Sequence, residues 1–101
     1  MLLVLCLTLT SCKVSKEDLV GTWTGLWTYE GNSYVRTFVL EDDDTYSAIL
    51  YKNGDLYEIE SGVYEIDGKT VSLYETGEQG HTNYDYKGGK LVNNGHKFIK
   101  E

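Results

Sequence analysis

Proline is absent from this chain of 101 residues, and cysteine and histidine occur only twice each. With no proline, the turns fall to Gly, Asn and Asp, and most of the 11 glycines lie between β-rich runs. Two cysteines, Cys6 and Cys12, make neither a disulfide framework nor a Cys-x-x-Cys metal or redox site. Basic residues are scarce as well: nine Lys and Arg stand against 16 Asp and Glu, a formal net charge of −7, and the nine are scattered. That acidity argues against a phosphate-backbone partner, so no nucleic acid is expected. A membrane-spanning helix needs roughly 20 apolar residues, and the run from Leu2 to Thr10 stops far short.

That short run has a better reading. It closes on Leu9-Thr10-Ser11-Cys12, the form of a lipobox. A signal peptide joins an apolar core of about 7 to 15 residues to small residues before the cut, and Leu2 to Ser11 supplies both. Cleavage before Cys12 leaves its thiol at the new N-terminus, ready for lipid. Cys6 is then discarded with the leader. A Cys6 to Cys12 disulfide is the poorer alternative, since it bridges a greasy segment with no domain to staple. The expected division is residues 1–11 as lipoprotein signal peptide, 12–20 as lipidated cysteine and tether, and 21–101 as one barrel domain. Such a domain is near the lower size at which a core suffices without disulfide or metal.

What the mature chain has in quantity is tyrosine, nine residues, with two Trp. Tyr and Thr favour pleated, half-buried surfaces. Ser15-Lys16-Glu17-Asp18-Leu19 has the form of a short helix start, with Ser15 as N-cap and acids in the first turn. Gly21 ends it, and from Thr22 the periodicity is two. Strands are expected near 22–29, 34–40, 45–51, 56–60, 62–66, 69–74, 83–87, 90–92 and 96–100. Asp67-Gly68 is a two-residue hairpin signal of type I′, and Asn53-Gly54, Gly88-Gly89 and Asn94-Gly95 make similar cases. Gly62, between two strand runs, marks a bulge or a sharp bend.

Sequential strands joined by short turns pair with their neighbours. An open meander leaves two exposed edges, and closure removes them. The expected fold is therefore all-β: an antiparallel up-and-down meander closing into a small barrel of about eight strands, filled in the main by side chains. Alternation places Phe38, Leu40, Tyr46, Ala48, Leu50, Tyr64, Ile66, Val71 and Leu73 on the inner face, joined by Trp23, Tyr84, Leu91 and Phe98. Val35, Thr37, Glu58, Glu65 and Lys69 fall outside.

No catalytic constellation can be assembled. Glu41-Asp42-Asp43-Asp44 lacks the loop length and the Asp-x-Asp-x-Asp-Gly spacing of a calcium site, and reads as a solvated hairpin tip. His81 and His96 have no cysteine or second histidine at ligand spacing and default to the surface. Ser33, Ser47, Ser61 and Ser72 lie in no Gly-x-Ser-x-Gly elbow. Glu58, Glu60 and Glu65 decorate the solvent face of two strands more plausibly than they form a glycosidase pair. Neither enzyme activity nor a metal or other cofactor is expected. Recognition rests on aromatics. Trp23, Phe38, Tyr46 and Tyr64 are the residues that would line a ligand cup, and Tyr34 and Tyr57 are the candidates for surface recognition.

Gly21-Thr22-Trp23 after a short helical start resembles the Gly-x-Trp signature that opens lipocalins. The spaced pattern Thr37-Phe38-Val39-Leu40, Asp43-Asp44-Thr45-Tyr46, Gly62-Val63-Tyr64-Glu65-Ile66-Asp67-Gly68 and Val71-Ser72-Leu73 extends the likeness. With the lipobox, the chain resembles the small lipocalin-like lipoproteins of bacteria, including the N-terminal domain of the NlpE copper-resistance lipoproteins. The resemblance implies an eight-stranded barrel tethered at a bacterial membrane. It does not carry over a Cys-x-x-Cys, because Thr28-Tyr29-Glu30-Gly31-Asn32-Ser33 contains no cysteine. Where that family has Asp-Gly-Thr-Tyr, Asp44 replaces the glycine and is expected to tolerate a left-handed turn. Lys13 after Cys12, in place of a retaining aspartate, points to the outer membrane.

The expected function is a membrane-anchored envelope lipoprotein acting as a non-catalytic binding or docking module. Its partners would be the membrane through the lipid and a small apolar ligand, a glycan or an envelope protein. The alternative is a structural or stress-sensing lipoprotein of the NlpE kind with no small-molecule ligand.

Overall fold

A computed structural model describes residues 13–101 of the chain. Cys6 and the lipobox through Cys12 lie outside the described residues. The fold is a closed antiparallel barrel of eight strands in chain order, preceded by one short helix. The elements are α1 (Lys16–Leu19), β1 (Gly21–Tyr29), β2 (Asn32–Leu40), β3 (Thr45–Lys52), β4 (Asp55–Asp67), β5 (Thr70–Glu75), β6 (Thr82–Lys87), β7 (Lys90–Asn93) and β8 (His96–Lys100). Each strand pairs with the next, and β8 returns to β1 at Trp23↔Lys100 and Thr24↔Ile99.

The runs expected at 56–60 and 62–66 are one strand. β4 pairs with β3 as far as Val63 and with β5 from Gly62, so Gly62 is the point at which the strand changes partners. A Cβ there would stand 1.9 Å from the Tyr74 carbonyl oxygen, which is why the position holds glycine. A register shift opposite Leu50 and Tyr51 leaves Tyr57 as the extra residue of a bulge.

Turns follow the sequence signals closely. Asn53 and Asn94 have φ of 53° and 50° and are each followed by a positive-φ glycine, the pattern of a type I′ hairpin. Asp44 takes φ 70°, the left-handed conformation expected of it. The β4–β5 hairpin differs in detail. Its central pair is Gly68-Lys69, flanked by the Asp67↔Thr70 pair, with positive φ at Gly68 and not at Asp67. That pattern belongs to type II′, where a glycine at the first central position carries the strain.

The two halves of the barrel differ in reach. β1 to β4 run 9, 9, 8 and 13 residues, whereas β5 to β8 run 6, 6, 4 and 5. The first four strands therefore rise as a lip beyond the other four at the end that carries the β1–β2 and β3–β4 turns.

The opposite end is plugged. Trp23, Phe38, Leu40, Tyr46, Ala48, Tyr64, Val71, Leu73, Tyr84, Leu91 and Phe98 form the buried core, joined by Val14 and Leu19 from the segment before β1. The Trp23 indole Nε1 donates to the Leu19 carbonyl at 2.8 Å, and the Val14 amide donates to the Gly68 carbonyl at 2.9 Å. Ser15 caps α1 by accepting from the Asp18 amide. Each such apolar side chain taken from water contributes about 1.5–3 kcal/mol. Of the expected core, Leu50 and Ile66 are only half-buried: Leu50 faces the open end, and Ile66 packs against the rim of the core.

Candidate functional site

Above the plug, the interior opens into a cavity of about 410 Å³, within the range of small-molecule sites. Its floor is an ion pair inside the barrel. Arg36 on β2 and Glu60 on β4 both point inward, because Arg36 shares a face with Phe38 through Leu40 and Glu60 stands opposite Ala48. The pair is bidentate: Arg36 Nη1 donates to Glu60 Oε1 at 3.1 Å and Nη2 to Oε2 at 3.2 Å. The Tyr46 hydroxyl donates to the same Oε2 at 2.7 Å. Both charged side chains are largely sequestered, 14% and 16% exposed.

Electrostatics follow from that arrangement. Burial alone would raise the Glu60 carboxyl, but hydrogen bonds from Arg36 and Tyr46 and the guanidinium charge hold it below the usual carboxylate range. Burial and the hydrogen bond to Glu60 push the Tyr46 hydroxyl well above the usual phenol range. Burial likewise raises Tyr84, which lines the same floor. Burial would lower Arg36, and its bonds to Glu60 outweigh this and raise it.

One wall is an aromatic ladder. The Trp27 indole stacks on Tyr34 at 5.6 Å and 15°, lies 4.8 Å from the His96 ring and meets Phe98 at 6.3 Å. The facing wall comes from the end of β5 and the loop after it, with Glu75, Glu78, Gln79 and His81, the last against Tyr74 at 4.8 Å. Thr82 and Asn93 complete the ring. Burial, with the charges of Glu60, Glu78 and Glu58 nearby, raises the Glu75 carboxyl.

The residues expected to line a cup divide sharply. Tyr46 reaches the cavity, whereas Trp23, Phe38 and Tyr64 do not: they are 0%, 0% and 3% exposed and pack in the filled half. Tyr64 is fixed there by donating its hydroxyl to the Glu41 carbonyl at 2.6 Å. Tyr34 is half-buried in the ladder, and Tyr57 projects from the bulge with the Lys52 ammonium 5.1 Å from its ring. Tyr34 and Tyr57 thus make separate contacts. His96 is half-buried against Trp27 and not a free surface residue.

Residues missed from the sequence are Trp27, Arg36 and Glu75, while Glu60 and His96, expected on the solvent side, instead line the cavity. Their signal was present: Arg36 keeps the alternation of Phe38 and Leu40, and Glu60 that of Tyr64, so charge on an inner-face position marked where the core gives way. The acidic turn Glu41–Asp44 is structural. Asp43 accepts from the Thr45 amide at 3.1 Å and hydroxyl at 2.5 Å, and Lys16 pairs with Asp44. Among the described residues, no cluster of three or more His, Cys, Asp or Glu is arranged to hold a metal ion. No helix among them is long and apolar enough to cross a membrane.

The outer surface of β1 to β4 carries a second feature. Cross-strand rows Leu26↔Val35↔Tyr51↔Leu56 and Thr24↔Thr37↔Ile49↔Ile59 contain no charged side chain. Leu26 and Ile59 are 71% and 68% exposed.

Comparison with protein-family models, with curated protein sequences and with solved structures finds no match.

Proposed function

We propose that the protein is a lipid-anchored lipoprotein of the bacterial envelope, in the outer membrane, whose barrel binds a small ligand at its open mouth without catalysis. The observation that carries this reading is the polarity of the barrel. Its N-terminal segment packs on the plugged end, where Val14 bonds to Gly68, and the cavity with Arg36 and Glu60 opens at the other. A lipid on Cys12, one residue before Lys13, holds the plugged end toward the bilayer and turns the mouth away from it. One acyl chain gives marginal membrane binding and each further buried methylene adds about 0.8 kcal/mol, so a multiply acylated Cys12 makes the attachment stable. The resemblance to small lipocalin-like lipoproteins implies an eight-stranded barrel tethered at a membrane, with which this reading agrees.

The test begins with intact mass. Full-chain protein extracted from membranes is expected to exceed the Cys12–Glu101 peptide by the mass of its acyl chains, and Cys12→Ala to lose the increment. An unmodified soluble product would end the anchor reading. The second reading, a structural or stress-sensing lipoprotein without a small ligand, draws on the two uncharged cross-strand rows on the outer face of β1 to β4. It predicts that partners recovered from membranes depend on Leu26 and Ile59 and are indifferent to Trp27 and Arg36.

A further inference from the structure

Two hairpin turns share one dipeptide, Asn53-Gly54 between β3 and β4 and Asn94-Gly95 between β7 and β8. Asn-Gly is the step at which a chain most readily attacks itself. The glycine amide nitrogen adds to the asparagine side-chain carbonyl carbon and gives up its proton, ammonia leaves, and a five-membered succinimide closes. Water then opens that ring at either carbonyl, leaving aspartate or isoaspartate. Glycine permits the attack because it has no Cβ to crowd the approach. Among the described residues neither Gly54 nor Gly95 has a backbone partner for its amide, and a Cβ built on either would meet nothing within 4 Å. Both nucleophiles are therefore open.

The turns differ in what holds the carboxamide. Asn53 is clamped to the start of β2: its Oδ1 accepts from the Ser33 amide at 2.9 Å, its Nδ2 donates to Asn32 Oδ1 at 2.9 Å, and its own amide donates to the Ser33 carbonyl at 2.7 Å. A carboxamide fixed in that way cannot swing onto the next nitrogen. Asn94 is exposed and makes no side-chain hydrogen bond among the described residues, whereas its neighbour Asn93 is held by donating Nδ2 to the Asn83 carbonyl at 2.9 Å.

We infer that Asn94 is a site of spontaneous deamidation through a succinimide with Gly95, and that the same dipeptide at Asn53 is protected by its clamp. The two products act differently on the mouth. Aspartate leaves the backbone intact, and Asp44 at φ 70° shows that this chain holds an aspartate in the left-handed conformation. Isoaspartate routes the chain through the side chain and adds a methylene to it, so a two-residue turn no longer fits the Asn93↔His96 pair that flanks it. His96 lies 4.8 Å from the Trp27 ring, so isoaspartate disturbs the aromatic ladder and aspartate does not.

The test ages the full-chain protein in mildly alkaline buffer and follows tryptic peptides by mass spectrometry with fragmentation. Residues 91–97 report Asn94 and residues 53–69 report Asn53. Exchange of amide for acid is expected about tenfold or more faster at Asn94, the order set by two hydrogen bonds that must open first at Asn53. Asn32→Ala removes one of those bonds and should quicken Asn53 while leaving Asn94 unchanged. Intrinsic fluorescence reads the ladder, because Trp23, the other tryptophan, is fully buried in the plug. Emission should shift as isoaspartate accumulates, measured by isoaspartate-specific methylation, and Asn94→Asp should emit like unaged protein. Equal rates at the two sites, reaction at Asn93 in preference to Asn94, or an Asn53 rate indifferent to Asn32→Ala overturns the inference. An emission shift reproduced by Asn94→Asp overturns the assignment of the effect to isoaspartate.

Discussion

Arg36 and Glu60 face each other inside the barrel through two parallel hydrogen bonds of 3.1 and 3.2 Å, at the level where the packed core stops. Removing one partner leaves the other charge largely buried and alone. Breaking such a pair typically costs about 3–5 kcal/mol, while replacing both by apolar residues of similar volume is often neutral or stabilising. Glu60→Leu alone is therefore expected to destabilise by about 3 kcal/mol, and Arg36→Met with Glu60→Leu to recover most of the loss. Urea titrations of the two single variants and the double variant measure the coupling; additive losses would show that the pair does not act as a unit.

Acid should act through the same carboxylate. The folded state holds Glu60 below the usual carboxylate range, so the stability it contributes is present above its unfolded value and disappears as pH falls through the lowered one. Glu75 has the opposite sign. Its raised folded value stabilises the fold at low pH and is a liability as pH rises through it. Glu75→Gln is accordingly expected to raise the melting temperature at neutral pH and to change nothing below about pH 4, where carboxyls are protonated in both states. Thermal melts across that range decide it, and a constant offset at every pH would contradict the assignment.

Gly62 offers a steric test. Its hypothetical Cβ meets backbone, 1.9 Å from the Tyr74 oxygen, while at Gly31 nothing lies within 4 Å. Backbone cannot rotate away as a side chain can, so Gly62→Ala is expected to destabilise by about 3 kcal/mol or more. The gap at Gly25 is also narrow, but there the Phe98 ring at 2.8 Å is part of the obstruction and has some freedom to shift. The expected order of melting temperatures is Gly25→Ala above Gly62→Ala, measured against wild type.

At the plugged end, Trp23 combines full burial with its bond to the Leu19 carbonyl. Trp23→Phe keeps much of the volume and loses the donor. The expected cost is about 1–3 kcal/mol, the penalty for an unsatisfied buried carbonyl, plus the smaller ring's cavity. Hydrogen exchange at Val20, whose amide bonds to Lys16, should quicken as α1 loosens.

The alternation of Phe38 with Leu40 and of Val71 with Leu73 was enough to place the core, and the Asn-Gly and Gly-Gly pairs placed most of the turns, because both signals are local. Asp67-Gly68 misled by one residue, since sequence shows that a glycine is needed but not which central position it takes. The continuity of β4 was hidden at Gly62, where a strand changing partners looks like two strands. The site was harder for a physical reason. Reading the inner face as apolar made Trp23, Phe38 and Tyr64 the obvious cup, yet apolar residues fill a small barrel and leave no cup. The charged inward positions Arg36 and Glu60 were the visible departures, and only pairing register brings them together from strands 24 residues apart. Val14 and Leu19 escaped notice because nothing in a four-residue helix announces what it will cover.

The seam between β1 and β8 has a kinetic meaning. Its pairs, Trp23↔Lys100 and Thr24↔Ile99, join residues at opposite ends of the domain, whereas every other pairing is made between neighbours in sequence. Hairpins form in about 1–10 μs, but the seam must close a loop spanning the whole meander, whose entropy grows with its length. The Glu101 amide on the Thr22 carbonyl and the Thr24 hydroxyl on the Glu101 carboxylate tighten it at one end. Sealing the barrel therefore carries the largest loop-closure cost of any strand pairing in the domain, and it depends on the last strand, β8.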